Sequence, residues 1–315
     1  MQRILITGPL GQDGKIITEQ LRNYYDLFGV CRIQTPSQVL ADHQKRYGIR
    51  LLMSDLANLN SVDCLLQNVK PDIIINFAGE TDVLDPWSDV NKTFEQNVTI
   101  PLNLLNSIVK LNRDIFFFQA SSSLMYARSK DLIINEKSNF CPLLPYGISK
   151  LTAHNFVNEY REKFSLKACS GIFFNHESFH RSEKFLSKKL SKLVSSIIQG
   201  RPYEISLYDL NYYRDISHAE DFMEGVKLII DSRINDDFVF SSGESTHVLE
   251  FCKRFFTLHN LEFEDYVDYT DSDTYEHQYQ IIGDNSKLKS LNWLPKHNTD
   301  SLILEMVDKE LNFRK

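Results

Sequence analysis

Tyr146 stands four residues before Lys150 in the segment Pro145-Tyr-Gly-Ile-Ser-Lys150, downstream of three consecutive serines, Ser121 to Ser123. One helical turn apart, the two side chains share a face. An ammonium beside a phenol favours the phenolate, which can take a proton from a sugar hydroxyl while a nicotinamide takes the hydride. Ser122 adds a hydroxyl able to hydrogen-bond the reacting oxygen, and Lys150 can also reach the nicotinamide ribose. The pattern points to hydride transfer with Tyr146 as base, Lys150 as its electrostatic partner and Ser122 as anchor. Among 14 tyrosines, this spacing would arise about once by chance, so its context has to carry the reading.

The context begins at the N-terminus. After an apolar run, Thr7-Gly-Pro-Leu-Gly-Gln-Asp-Gly14 places Gly8, Gly11 and Gly14 in the spacing G-x-x-G-x-x-G ahead of a helical pattern. Glycines let backbone approach a pyrophosphate closely, and the helix N-terminus offers free N–H groups and a favourable dipole. Gln12 and Asp13 fall within the same cradle and are further cofactor-binding candidates. At the end of the second strand, where an acid would hold the ribose of NAD, the chain has Arg32. An arginine there favours a 2′-phosphate and so NADP, with NAD as the alternative. Asp55 and Leu56, after the third strand, are placed beside the adenine; Asp55 could equally cap the next helix.

These residues need a frame to position them. Arg3–Thr7, Leu27–Arg32, Arg50–Met53, Asp72–Phe77, Ile115–Ala120 and Ala168–Phe173 read as strands, several apolar throughout. Ile16–Asn23, Ser61–Asn68, Asp89–Lys110 and Tyr146–Phe164 carry the helical period. Continuously apolar strands alternating with helices predict an α/β protein, a Rossmann-type doubly wound parallel sheet. Ser182–Gln199, Glu220–Asp231 and Ser301–Leu311 read as helices and Glu204–Tyr208 as a strand, while Asp237–Phe240 is predicted to return to the sheet. The expected organisation is a dinucleotide-binding domain over 1–175, with a returning segment near 215–242, and a smaller interwoven C-terminal substrate lobe over 176–315.

Composition sets the outer bounds. The 315 residues are 42% hydrophobic and 24% charged, enough for a full core. A net charge of −7 argues against a nucleic-acid partner. No apolar run approaches a membrane span, and the N-terminus reads as a strand, so a cytoplasmic protein is expected. The 5 cysteines show no C-x-x-C pair, which predicts neither disulfide framework nor metal site. The sequons at Asn91 and Asn97 read as chance matches.

The same residues resemble the GDP-mannose 4,6-dehydratase family of the extended short-chain dehydrogenase/reductases. The resemblance rests on Ile6–Gly14, on Gln119-Ala-Ser-Ser-Ser-Leu-Met-Tyr126 and on Pro145–Lys150. It continues through Phe173-Phe-Asn-His-Glu-Ser178, Tyr213–Phe222 and Gly283–Pro295, nearly the whole chain. It implies a nucleotide-sugar substrate, in the family GDP-linked, acted on at C4, and a homodimer or higher oligomer through the helices Asp89–Lys110 and Tyr146–Phe164. It also makes Asn175, Glu183, Lys189 and Arg214 substrate-binding candidates. Arg181, Lys184, Lys188, Lys189 and Lys192 form a basic cluster in an acidic chain, and Arg214 offers a fork suited to a diphosphate.

One departure bears on the reaction itself. The family's dehydration needs a carboxylate after its Thr-Ser pair to move the C5 proton, and the matching residue is Leu124. A leucine moves no proton, which removes an acid/base worth about 10²–10⁴ in rate. Glu80 or Asp82, in the loop after the fourth strand, could supply a carboxylate; otherwise the chemistry reduces to C4 oxidation, reduction or epimerisation. A non-catalytic dinucleotide-binding protein is the remaining alternative. The segment Asp273–Asp284 also lacks the family's diphosphate-binding arginine, and the loop after Arg32 is shorter than the family's.

Overall fold

The computed structural model describes residues 1–81, 85–201, 203, 205–270 and 280–313. Its centre is a sheet of β1 (Arg3–Thr7), β2 (Asp26–Cys31), β3 (Arg50–Met53), β4 (Ile73–Asn76), β5 (Phe116–Ser122), β6 (Ala168–Phe173) and β7 (Asp237–Phe240). The strands lie in the order β7-β6-β5-β4-β1-β2-β3, and every neighbouring pair is parallel.

Strand alternation divides the apolar residues between two faces. Ile4, Ile6, Phe116 and Phe118 pack with Ile16 of helix α1 (Gln12–Leu21) in one core, joined there by Phe222 and Val226. Leu5, Ile74 and Phe117 pack on the other face. That second face is covered by α3 (Leu59–Val69), α5 (Ile100–Leu111) and α6 (Pro145–Phe164), with the short α4 (Val90–Phe94) leading into α5, while α2 (Ser37–Tyr47) lends Tyr47 to the first core. A third core, with Leu190, Val194, Phe255 and Ile303, joins α7 (Leu186–Ile198), α9 (Val248–Thr257) and α10 (Thr299–Phe313), while α8 (Ala219–Ser232) carries Phe222 and Val226. Among the described residues no helix is long and apolar enough to cross a membrane.

Six strands fall where the apolar runs predict them, and β7 returns to the sheet beside β6 with Asp237 opposite Ser170. Four features differ. The pattern read as one helix over Asp89–Lys110 is interrupted by a π-helical turn, Glu95–Thr99. The physical cause is Pro101, which has no N–H to donate to the Asn97 carbonyl one turn back, so the backbone widens ahead of its ring. The basic stretch begins its helix only at Leu186, since Ser182 to Phe185 form a turn closed by the Phe185 amide on the Ser182 carbonyl at 3.0 Å. Helix α2 was unforeseen because only His43 and Tyr47 on it are buried, too few for an apolar stripe. The strand expected from Glu204 runs over Ser206–Tyr208, and Glu204 lies outside the described residues.

Strand β1 lies between β4 and β2, so the chain order reverses there, and the crevice beyond the carboxyl ends of β1 and β4 is where open α/β sheets place their ligands.

Candidate active site

The glycine loop enters this crevice directly from β1. Gly8 has φ +68°, the left-handed region that favours glycine, and a Cβ on it would lie 3.1 Å from the Phe77 carbonyl carbon and oxygen. A Cβ on Gly14 would lie 2.3 Å from the Gly8 oxygen and 2.6 Å from Pro9 Cα. The loop is therefore folded against the first turn of α1 as tightly as backbone permits. That turn carries N–H groups with no partner inside the helix, and the cradle fits a pyrophosphate.

A buried polar row supports the loop from below. Thr7 bonds Asn76, whose amide donates to Gln119 Oε1 at 2.8 Å, and the Ala78 amide donates to Thr7 Oγ1 at 2.9 Å. All three side chains are sealed from solvent, so the carboxyl ends of β1, β4 and β5 are held in fixed register.

Ser122 ends β5 and caps the 3-10 turn Ser123–Tyr126, its Oγ accepting from the Leu124 amide at 3.2 Å. Tyr146 and Lys150 occupy the first turns of α6, which packs so closely on this turn that a Cβ on Gly147 would sit 2.5 Å from the Leu124 oxygen. Burial raises the Tyr146 phenol above its ordinary pKa, against a hydrogen bond from Ser122 and the charge of Arg181, which pull it down. Burial likewise lowers the Lys150 ammonium to about 8, with Asp13 pulling the other way. Lys150 Nζ donates to the Ala120 carbonyl at 3.0 Å and lies 5.7 Å from the centre of the Tyr146 ring. The structure thus joins Ser122, Tyr146 and Lys150 in one cluster. Burial and the Ser122 contact tune the phenol first, rather than the lysine that the spacing singles out.

Asn97, at the centre of the π-helical turn, completes this cluster and was missed. Its Oδ1 accepts the Glu80 amide at 2.9 Å, and its Nδ2 donates to Ser149 Oγ at 3.0 Å and to the Glu80 carbonyl at 3.2 Å. One residue thereby ties the loop after β4 to α6, and Gly79 gives it room, since a Cβ there would lie 2.6 Å from Asn97 Oδ1. Pro101 inside a helical pattern was the available signal.

Charges cross from the cradle to the segment after β6. Asp13 faces His176 Nε2 at 3.1 Å, Gln12 Nε2 donates to the His176 carbonyl at 3.1 Å, and Ser178 Oγ donates to Gln12 Oε1 at 2.9 Å. Burial alone would raise the Asp13 carboxyl; His176 and then Arg181 outweigh it and hold the carboxyl below its usual range. Arg181 pairs with Glu177 at 3.1 Å and stacks over Phe185 at 3.7 Å. It therefore belongs to the same charged cluster as Tyr146 and Asp13.

The other predicted residues are more spread. Arg32 and Asp55 follow adjacent strands, both exposed, and the Ser54 amide joins those strands through the Cys31 carbonyl at 3.1 Å. Asp55 closes a turn on the Ala57 amide at 3.0 Å, whereas Asn58 caps α3; Leu56 is buried and its carbonyl takes the Asn103 amide at 3.0 Å. Asn175 is exposed at the head of a short strand whose register partner, Ile216, comes just after Arg214. Arg214 lies 4.5 Å over the Tyr212 ring and donates to the Tyr213 carbonyl at 3.0 Å.

The basic cluster divides. Lys188 points inward, paired with the buried Glu310 and donating to the Phe179 carbonyl at 2.6 Å, while Lys192 pairs with Glu183; Lys189 is half-buried on α7. The pair with Glu310 removes Lys188 from the set of cations facing a ligand, because a buried ammonium is kept only with its partner. Glu80 pairs with Lys92 at 2.8 Å, which engages the carboxylate proposed to stand in for the one missing at Leu124. Asp82, and 273–279 of the segment lacking the arginine, lie outside the described residues.

A cluster of possible metal ligands lies elsewhere, where atoms of His218, Glu220, His297 and Glu305 come within 4.8 Å of one another. His218 Nδ1 accepts the Glu220 amide at 3.1 Å and its Nε2 donates to Glu305 at 3.0 Å, so both ring nitrogens are already used.

A family model described as GDP-mannose 4,6 dehydratase matches residues 5–306. "GDP-mannose 4,6 dehydratase 1" of Arabidopsis thaliana is 31% identical over 99% of this chain and 90% of its own length. The human "GDP-mannose 4,6 dehydratase" is 29% identical over 98% and 91%. Among solved structures, a UDP-glucose 4-epimerase from Thermotoga maritima aligns with TM-score 0.86 at 18% identity, covering 100% of both chains. A dTDP-glucose 4,6-dehydratase from Bacillus anthracis aligns with TM-score 0.83 at 20% identity, covering 100% of this chain and 98% of its own.

Proposed function

The chain belongs to the GDP-mannose 4,6 dehydratase family, among the extended short-chain dehydrogenase/reductases, and from that premise we propose that it performs hydride transfer at C4 of a nucleotide-linked hexose without the elimination step. The observation that carries this reading is the contrast within one turn of chain. Ser122, Tyr146 and Lys150 stand together, while Leu124 occupies the place of the proton-moving carboxylate and Glu80 is engaged by Lys92.

In the oxidative direction Ser122 holds the C4 oxygen, and Tyr146, as a phenolate whose charge the Lys150 ammonium offsets, takes its proton and becomes the neutral phenol while the C4 hydrogen departs with its electron pair. A bound nicotinamide supplies the acceptor or donor of that hydride. The cradle of Gly8, Gly11 and Gly14 with Gln12 and Asp13 would hold its pyrophosphate, and Asp55 and Leu56 would border the adenine. Arg32 supports NADP over NAD. Asn175, Arg181, Glu183, Lys189 and Arg214 are our candidates for the nucleotide-sugar, with GDP the family's nucleotide. Residues 1–175 would then serve the cofactor and 176–315 mainly the substrate. We further expect a homodimer through α4, α5 and α6. The described cysteines are all unpaired, which supports a reducing, cytoplasmic setting.

Incubating the protein with GDP-mannose and NADP⁺ in D₂O tests the reaction by absorbance of reduced cofactor and mass of the sugar. The expected product is the 4-keto sugar with no water lost and no deuterium at C5. A product lighter by one water, or deuterated at C5, refutes loss of the elimination step. Tight NADP⁺ binding with no turnover of any nucleotide-sugar would instead favour a non-catalytic dinucleotide-binding protein.

A further inference from the structure

We propose that His176 is a positioning residue whose ion pair with Asp13 makes the cofactor cradle and the substrate segment bind their ligands as one coupled unit; the proposal rests on the redox reading above. Asp13 poses the problem that this pair solves. It is an acid in the first turn of α1, the turn whose free N–H groups would receive a pyrophosphate, and a bare carboxylate there repels that group.

The hydrogen bonds of His176 fix its charge. Nδ1 faces the Phe174 carbonyl at 2.8 Å, and Nε2 faces both Asp13 oxygens at 3.1 and 3.3 Å. Both partners are acceptors, so both ring nitrogens carry protons and the ring is an imidazolium. It cancels the Asp13 charge where the anion must sit. Its raised pKa agrees: burial opposes the charge, and Asp13 more than restores it. The ring is held between Phe173 at 5.3 Å and Phe222 at 4.9 Å, which bring no charge. The charged groups around the pair are Arg181, from the loop beyond, and Tyr146 and Lys150 on α6, which share the field of Asp13.

The same two segments are joined twice more, by Gln12 to the His176 carbonyl and by Ser178 to Gln12. Asn175 and Arg181, on either side of this clamp, are among the substrate candidates. A nucleoside diphosphate that orders this segment sets His176 against Asp13 and readies the cradle, and by linkage a bound dinucleotide readies the segment to the same factor.

The test is calorimetric titration of the full chain with NADP⁺ and with GDP, each alone and in the presence of the other. The proteins compared are the wild type, Asp13→Asn, His176→Gln and the double variant. The wild type is expected to bind each ligand more tightly with the other present, by about fivefold or more in both directions. His176→Gln should weaken NADP⁺ binding and abolish the coupling. Adding Asp13→Asn to it should restore NADP⁺ affinity, because the charge needing neutralisation is gone; a merely structural role for His176 would not be rescued by losing its partner. Wild-type NADP⁺ affinity should fall as pH rises through the titration of His176, and in Asp13→Asn it should not. Wild-type NADP⁺ affinity in His176→Gln, no rescue in the double variant, or full coupling in Asp13→Asn each overturns the proposal, the last even where His176→Gln does not fold. A wild type that binds no nicotinamide dinucleotide overturns the redox reading and this proposal together.

Discussion

Replacing Gly14 and Gly11 separately by alanine splits the two jobs assigned to the glycine loop. In Gly14→Ala the new methyl would meet the Gly8 oxygen at 2.3 Å, Pro9 Cα at 2.6 Å and the Pro9 carbonyl carbon at 2.8 Å. Ordinary contact begins near 3.4 Å, so the loop must retreat by about 1 Å. All three obstacles are backbone atoms, which no side-chain rotation relieves. The cost should fall at the upper end of the usual overpacking range, about 3 kcal/mol, lowering the melting temperature by roughly 4–5 °C in a chain of this size. The N–H groups of the cradle move with the loop, so NADP⁺ affinity should fall by more than about tenfold. Gly11 is different, with φ −73° and its nearest neighbour, the Gly8 oxygen, at 3.4 Å. Gly11→Ala should keep its stability within about 0.5 kcal/mol yet weaken NADP⁺ binding, if that glycine serves close approach of a ligand. Thermal denaturation and calorimetric titration on both variants read the two effects. A Gly14→Ala protein that melts within about 1 °C of wild type would refute the packing argument.

Leu124→Glu places a carboxylate beside Tyr146, and a gain of water-loss product from GDP-mannose by mass spectrometry is the expected outcome; no gain would show that more of the pocket than this residue has changed. Burial lowers Lys150 to about 8 from 10.5, so between those values the unfolded chain binds a proton that the folded one lacks, and folding stability gains from this group as pH rises. Urea titrations should show Lys150→Met losing ground to wild type by about 3 kcal/mol across that window; a pH-independent difference would place the lysine charge elsewhere. Asp237 accepts both Arg161 nitrogens, at 2.8 and 2.9 Å, and the Ser170 amide at 3.1 Å, so Asp237→Ala should cost about 3–5 kcal/mol in urea unfolding. A cost below about 1 kcal/mol would mean that this pair does not hold β7 to the sheet.

Much of the frame was legible because burial on two faces leaves a direct mark. Ile73-Ile-Ile and Phe116-Phe-Phe can only be central strands, and a glycine run between a strand and a helix has one common use. Helix α2 left no such mark, since it buries little. The basic helix was misjudged for a related reason: a lysine facing water and one facing Glu310 look alike along the chain, and α10, which carries that glutamate, is remote in sequence. Asp237 likewise reads as one more strand residue until Arg161 and His154 close on it from α6.

By itself the sequence determined the parallel sheet, the glycine cradle, the Tyr146–Lys150 pair on a helix beside Ser122, and the leucine where the family has a carboxylate. These are local facts of period, spacing and residue type, and they survive any rearrangement of distant parts. Tertiary structure alone decided that Asn97 joins the site through a π-helical turn, that Asp13 faces His176 across 163 positions, and that Lys188 is spent on Glu310. Such pairings follow from which surfaces meet when the sheet is wound, and charge or hydrogen-bonding capacity has no direction until the backbone supplies one.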